Sequence, residues 1–146
     1  MTDKKVVEAL SRLLADSYTL YLKTHNYHWN VTGPMFNSLH TLFETEYTEL
    51  ALAVDEIAER IRAVGARAPG SYREFSELSK IQEDGTTPAA KQMIENLTKD
   101  QKTVVEAAKR VVKAAEAAGD QASADLGVRR IDVHEKNAWM LGSHLE

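Results

Sequence analysis

Two pairs of side chains in this chain are suited to holding a metal ion. His40 and Glu44 stand four residues apart, and so do Asp55 and Glu59. On an α-helix a four-residue step puts both members of a pair on one face, one turn apart. Imidazole and carboxylate together suit iron, zinc or manganese more than calcium. Cysteine is absent, so the ligands stay hard to intermediate in softness, and thiolate metal sites, disulfides and a cysteine nucleophile are excluded. At about 100° per residue the four side chains fall within an arc of roughly 100°, centred about 120° from the apolar stripe of the same helix. They therefore point away from their own bundle's core.

Taken alone, such a pair is more often part of a solvated polar face. Three features raise these above that reading. The positions between them on the arc, Thr48 and Ala51, are small and admit the close approach of another helix. Glu44 and Asp55 are 11 residues apart, roughly 16 Å along a helix axis, too far to share one ion within a single chain. The outer pair 40/59 and the inner pair 44/55 also have the same midpoint, between Glu49 and Leu50. If two copies of this helix cross antiparallel about a two-fold axis there, His40 and Glu44 of one face Asp55 and Glu59 of the other. A two-fold interface is self-complementary in this way. His28 is the natural third contributor. It lies near the end of the preceding helix, just before the Gly33-Pro34 turn that leads back to His40.

These side chains need long helices to position them. Glycine (7) and proline (3) are scarce and clustered. The uninterrupted stretches predict four long helices, about 3–32, 35–64, 88–118 and 121–144, and a short one near 71–79. Ser71-Tyr72-Arg73-Glu74 spells a capping box. Thr87-Pro88 reads as an N-cap and first helical residue, and Gly119-Asp120 as a stop followed by a new N-cap. Gly127 and Gly142 weaken the last helix. On the second helix Phe36, Leu39, Phe43, Tyr47, Leu50, Val54, Ile57, Ile61 and Val64 recur at three- and four-residue steps. The third long helix repeats the pattern with Met93, Leu97, Val104, Ala108, Val111 and Ala115. The fold class expected is all-α: one four-helix bundle over residues 1–146, with the short helix inside the long connection between the second and third long helices.

Composition narrows the function classes. Of 146 residues, 43% are hydrophobic and 27% charged, which excludes a disordered or collagen-like chain. The longest uncharged window, residues 24–43, holds three His and three Asn and is too polar to span a bilayer. No apolar run follows a basic start, so a secretory leader is not expected. The net charge is −4, and the start of the chain offers only Lys4 and Lys5 beside Asp3. No Asp or Glu is followed by His three residues later. That argues against a di-iron centre built inside one bundle from Glu-x-x-His pairs.

The residues carry a recognisable pattern. His25-Asn26-Tyr27-His28-Trp29-Asn30-Val31-Thr32-Gly33, then Phe36-x-x-Leu39-His40, then Asp55-Glu56-Ile57-Ala58-Glu59-Arg60 resemble the Dps family, and His134-Glu135-Lys136-x-x-Trp139-Met140-Leu141 resembles that family's ending. The resemblance covers nearly the whole chain. It implies a bacterial, cytoplasmic, ferritin-like subunit assembled as a hollow dodecamer, with ferroxidase centres between two-fold-related copies. It implies oxidation of iron(II), preferably by hydrogen peroxide, storage of the ferric mineral inside, and protection against oxidative damage. Zinc is a possible occupant that does not turn over. Carried over by position, the metal ligands are His28, His40 and Glu44 from one subunit and Asp55 and Glu59 from the other. Many members have Asp where this chain has Glu44, whose carboxylate sits one methylene further out. Trp29 is either a packing residue or a quencher of stray oxidising equivalents. Asp120, Asp125 and Glu135 are candidates for an acidic iron-entry pore at the three-fold axes, or else caps and solvated charges. DNA binding is the alternative function suggested by the family's name. The acidic balance and the few basic residues ahead of the first helix argue against it.

Overall fold

The scarce glycines and prolines fall where helices stop. The computed structural model describes residues 2–146. It contains α1 (Lys4–Asn30), α2 (Phe36–Ala63), α3 (Tyr72–Leu78), α4 (Ala90–Ala117) and α5 (Gln121–Ser143), with no strand among the described residues. The architecture is the expected all-α bundle of four long helices, with a short extra helix in the connection between α2 and α4. Asp3 caps α1 by accepting from the backbone N–H groups of Lys5 and Val6, and Asp120 caps α5 by accepting from Ser123. Ser71 and Glu74 form the expected capping box on α3. Gly33, at φ 104°, turns the chain between α1 and α2, and Gly119, at φ 71°, turns it between α4 and α5. Both lie in the left-handed region that side chains disfavour.

One expected boundary is wrong. Thr87-Pro88 does not open α4, which begins at Ala90 after Ala89, a cap position with no side-chain bond. The local capping is made upstream. Asp84 Oδ1 accepts from the backbone N–H and the hydroxyl of Thr86, each within 2.8 Å. Ala89 is extended, at φ −62° and ψ 156°, so the helix starts only after it.

α1 and α2 run antiparallel, and the segment between α2 and α4 then returns along the length of α1. Its path can be followed through side chains of α1. Asp16 accepts from Ser79 Oγ and Lys80 N, Lys23 Nζ donates to the Gln82 carbonyl, and Asn26 donates to the Asp84 carbonyl. Backbone groups in a non-helical segment need partners, and α1 supplies them. α4 therefore starts beside the C-terminal end of α1, where Asn96 donates to the Tyr27 hydroxyl. α5 completes the bundle against α4.

The core is the apolar stripes meeting: Leu10, Leu13 and Leu20 of α1, Leu39, Phe43, Leu50, Ile57 and Ile61 of α2, Met93, Leu97 and Val104 of α4, and Leu126 and Leu141 of α5. Fully burying each such side chain is worth about 1.5–3 kcal/mol. Phe36 departs from the expected stripe. It is exposed and stacks on the His40 ring instead, with centroids 5.0 Å apart. Gly127 does not weaken α5. A Cβ there would lie 2.8 Å from Val112 Cγ2 and 3.1 Å from the Ala108 carbonyl, so glycine is what lets α5 lie close against α4.

Polar groups also enter the core. Arg130 donates to both Glu49 oxygens and to His134 Nε2, and His134 Nδ1 donates to Gln101. Burial, reinforced by the Arg130 charge, holds His134 well below the usual imidazole range, so it is neutral. Glu46 of α2 is 3% exposed and neither of its carboxylate oxygens has a hydrogen-bond partner. Burial pushes its pKa up to about 8. The folded chain thus holds a proton that the unfolded chain, with Glu near 4.5, releases. Stability falls as pH rises between those two values. Glu46→Gln keeps the shape and removes the ionisation. Thermal unfolding should show the variant close to the parent at pH 5 and more stable at pH 8.5, by on the order of 3 kcal/mol. Parallel stability–pH curves would show that Glu46 is not the group being titrated.

Candidate metal centre

The Gly33 turn sets the last two turns of α1 against the first two of α2. His28 Nδ1 donates to the His40 carbonyl at 2.7 Å, and His40 Nδ1 donates to the His28 carbonyl at 2.7 Å. A carbonyl only accepts, so each Nδ1 carries a hydrogen and Nε2 is the ring nitrogen left for a metal. The two rings stack 3.8 Å apart and 13° from parallel. Glu44 follows His40 by one turn. One ligand atom from each of His28, His40 and Glu44 lies within 4.8 Å of the others. Metal–ligand bonds of about 2.0–2.2 Å set ligand atoms about 3–4 Å apart, and Glu44, exposed on a flexible stem, is the member able to close the remaining distance. His28 is buried, His40 half-buried and Glu44 exposed, so the cluster is walled on the protein side and open outward. Three protein ligands with an open side is the pattern of a site where chemistry occurs, in contrast to a closed structural site.

Asp55 and Glu59 are not part of this cluster within the chain. Both are exposed, further along the same face of α2, in a groove against α5 that also holds Glu56, Asp125 and Arg129. Arg129 pairs with Glu56 at 2.6 Å and with Asp125 at 3.0 Å. Asp55 and Glu59 form no ion pair among the described residues. Thr48 and Ala51, between the two half-sets, are exposed, and Leu52 beside them is 73% exposed.

The pore candidates, the α5 cap Asp120 and the α5 residues Asp125 and Glu135, are spread along the helix. Burial alone would raise the Asp120 pKa, but bonds from Ser123 and the Arg60 guanidinium at 2.9 Å outweigh it and hold it low. Asp120 is thus committed as a cap and ion-pair partner. Asp125 lies in the groove with Asp55 and Glu59, while Glu135 is exposed ten residues further along α5. Trp29 is 58% exposed and lies outside the core, its ring 4.0 Å from that of His25.

Two residues at the site were not singled out as chemical from the sequence. His25 stacks on Tyr47 at 4.1 Å, and Tyr47 meets the His28 ring edge-on at 5.1 Å. Burial, then the neighbouring His28, lowers the His25 pKa. The available signal was spacing, with His25 three before His28 and Tyr47 three after Glu44.

The profile of the Ferritin-like domain matches residues 7–146. The chain is 39% identical over 143 residues to DNA protection during starvation protein 2 of Bacillus anthracis, covering 98% of each chain. The crystal structure of Dps from Staphylococcus aureus superposes with a TM-score of 0.95 at 36% identity, covering 99% of this chain and 97% of that one. A second crystal structure, of the Vibrio cholerae DPS protein, superposes with a TM-score of 0.93 at 31% identity over 98% of this chain and 90% of that one. That protein is described as a member of a broad superfamily of ferritin-like diiron-carboxylate proteins. The chain belongs to the Dps family of ferritin-like proteins.

For this Dps-family chain the reciprocal histidine bonds separate two roles in one ring. His40→Asn keeps an N–H donor near the Nδ1 position and removes Nε2. The melting temperature should stay near that of the parent, while affinity for cobalt(II), followed by its visible absorption, should fall by at least about ten-fold. Undiminished cobalt binding would remove His40 from the ligand set.

Proposed function

We propose that this chain oxidises iron(II), preferably with hydrogen peroxide, and stores the ferric product inside a hollow dodecamer. On this reading residues 1–146 are one ferritin-like domain, and the protein works in the bacterial cytoplasm, limiting oxidative damage. The single observation that carries it is the division of α2's outward face. A pre-oriented His28/His40/Glu44 cluster lies at one end and the unpaired carboxylates of Asp55 and Glu59 at the other, symmetric about one point on the helix. Two-fold pairing of α2 helices brings each cluster opposite a partner's carboxylate pair and completes two identical sites. The exposed small residues and Leu52 near that point suit helix–helix contact.

Iron is the substrate. His28 and His40 bind through neutral Nε2 atoms, adding affinity without charge, and Glu44, Asp55 and Glu59 supply anionic oxygen. Carboxylates bind iron(III) more tightly than iron(II) and so favour oxidation. Two iron(II) ions at one site each give one electron to a single peroxide. Its O–O bond breaks, and hydrolysis of the products gives two ferric oxyhydroxide units and four protons. Because both electrons leave together, hydroxyl radical is not released. Zinc suits the same ligands but has no electron to give. Asp125, in the groove with Asp55 and Glu59, is the member of the Asp120, Asp125 and Glu135 set best placed to pass incoming iron toward those carboxylates. Trp29, one ring removed from His28 through His25, is suited to quenching stray oxidising equivalents.

His40→Ala and Asp55→Ala should each slow peroxide-driven iron oxidation without unfolding the bundle, since both side chains lie off the apolar stripe. The two positions are 15 residues apart, roughly 22 Å along α2. When the two variants are mixed by disassembly and reassembly, half the sites of a mixed pair receive both lesions and half receive none. Activity should partly return. No recovery from a mixture that co-assembles would show that the site is not shared between subunits.

DNA binding is the second reading, favoured by the name of the Bacillus anthracis relative. The net charge of −4 per chain, multiplied over an assembly, opposes phosphate contacts. Plasmid DNA should not shift in a gel at about 0.15 M salt, where screening acts over about 8 Å. A shift that persists there would establish DNA binding in addition to iron chemistry.

A further inference from the structure

The interior of the bundle holds a second group of metal-type donors, and a cation already sits on it. Arg130 of α5 is 4% exposed. Its guanidinium donates to the two Glu49 oxygens at 2.5 and 2.9 Å and to His134 Nε2 at 2.9 Å. His134 is fully buried and donates its Nδ1–H to Gln101 Oε1 at 2.6 Å. A ring whose Nδ1–H is held by an oxygen and whose Nε2 lone pair meets a cation is oriented as metal-bound histidines are. Glu49 pairs with Arg130 and Arg60 with Asp120, so α2 and α5 run antiparallel. One turn before Glu49 on α2 stands Glu46, and one turn after Arg130 on α5 stands His134, so the two reach the same level of the bundle. Both Glu46 oxygens, Gln101 Nε2 and Arg130 Nε are buried there without a hydrogen-bond partner.

A link between α2 and α5 does not by itself account for a buried charge, because well-packed apolar residues usually serve as well as a buried ion pair. Two carboxylates and an imidazole on facing helices are the donors from which metal sites in bundle cores are built. A guanidinium stays charged at every accessible pH and, tethered to α5, does not dissociate.

We propose that Arg130 is a built-in cation that occupies a metal-binding set of Glu46, Glu49 and His134 and so keeps divalent transition-metal ions out of the bundle core. The inference does not rest on the iron-oxidising reading. A guanidinium is wider than a metal ion and holds its acceptors apart. With Arg130 in place, only His28, His40 and Glu44 gather closely enough for an ion among the described residues. The Glu49 side chain is 39% exposed, so an ion has a way in once the guanidinium is gone. An ion lodged in the core would lie away from the outward face of α2, and Arg130 leaves incoming metal to that face.

The test is a cobalt(II) titration of full-length assembled protein, read by visible absorption and by bound metal after dialysis. Arg130→Ala should bind one more cobalt(II) per chain than the parent, and cobalt(II) should raise its melting temperature more than the parent's. Adding His134→Gln to Arg130→Ala should remove that extra ion. Arg130→Lys keeps a tethered cation and should bind no more than the parent. No extra ion in folded Arg130→Ala overturns the proposal. So does an extra ion that survives His134→Gln, or one that Arg130→Lys binds equally. If Arg130→Ala folds only with cobalt(II), the metal has replaced the guanidinium. If it stays unfolded with cobalt(II) present, the donors do not form a metal site and the proposal fails. The fall in cobalt affinity expected of His40→Asn reads the outward cluster separately, so either result stands without the other.

Discussion

Each of two imidazoles donates its Nδ1–H to the carbonyl of the other's residue, and much of the molecule depends on that exchange. The bonds tie the end of α1 to the start of α2 at one register. Because both acceptors are carbonyls, each Nδ1 carries a hydrogen and is occupied, which leaves Nε2 of each ring as the nitrogen for a metal. The fold and the donor chemistry are thus set by the same two contacts. The helices must run antiparallel with a short turn for the exchange to occur, and Gly33 at positive φ supplies that turn. Once α1 and α2 are registered, Glu44 follows by helical geometry alone, one turn beyond His40.

The long return segment imposes the second constraint. Twenty-six residues separate α2 from α4, and besides α3 they hold only short local turns. Residues 79–84 are held by buried or half-buried polar side chains of α1: Asp16, Lys23 and Asn26. Lys23 also pairs with Asp100 of α4 at 2.8 Å, linking the return segment to the bundle. Desolvation raises the Asp16 and Asp100 pKa values, so these contacts come at a cost in ionisation, partly offset by the hydrogen bonds each receives. The result is an orientation in which α2 and α4 run in the same direction, a topology that short hairpin connections cannot give.

The helices were legible because apolar residues recur at helical steps over long stretches without breakers. The α4 stripe of Met93, Leu97, Val104, Ala108, Val111 and Ala115 is buried throughout, as its spacing predicts. Errors arose where local chemistry competed with a motif. Thr87-Pro88 has the spelling of a helix start, but Ala89 is extended and α4 starts only after it. Gly127 resembles a helix weakness, but what it does depends on a neighbouring helix that a one-dimensional pattern does not contain. The same limit hid the Arg130–Glu49–His134–Gln101 network and the isolated Glu46, because burial of a polar group depends on three helices at once. At the site, His40 and Glu44 could be read from a single helix. Their meeting with His28 required only a short turn.

The open side of the cluster is where the structure and the proposed chemistry constrain each other most. A fully enclosed His/carboxylate site would bind iron tightly but leave no path for peroxide in or ferric product out. An outward-facing half-site leaves such a path, at the cost of too few ligands to hold two ions. Splitting the ligands along α2, with carboxylates at one end and imidazoles at the other, allows a second copy to supply what is missing without any new element. The separation also keeps the two exposed carboxylates in water within the single chain. Asp55 and Glu59 remain solvated in the α2–α5 groove, beside the Arg129 that pairs with Glu56 and Asp125. Anionic ligands held in water and neutral ligands held by backbone carbonyls are both stable in the single chain. On the proposed reading, the iron chemistry then begins where two bundles meet.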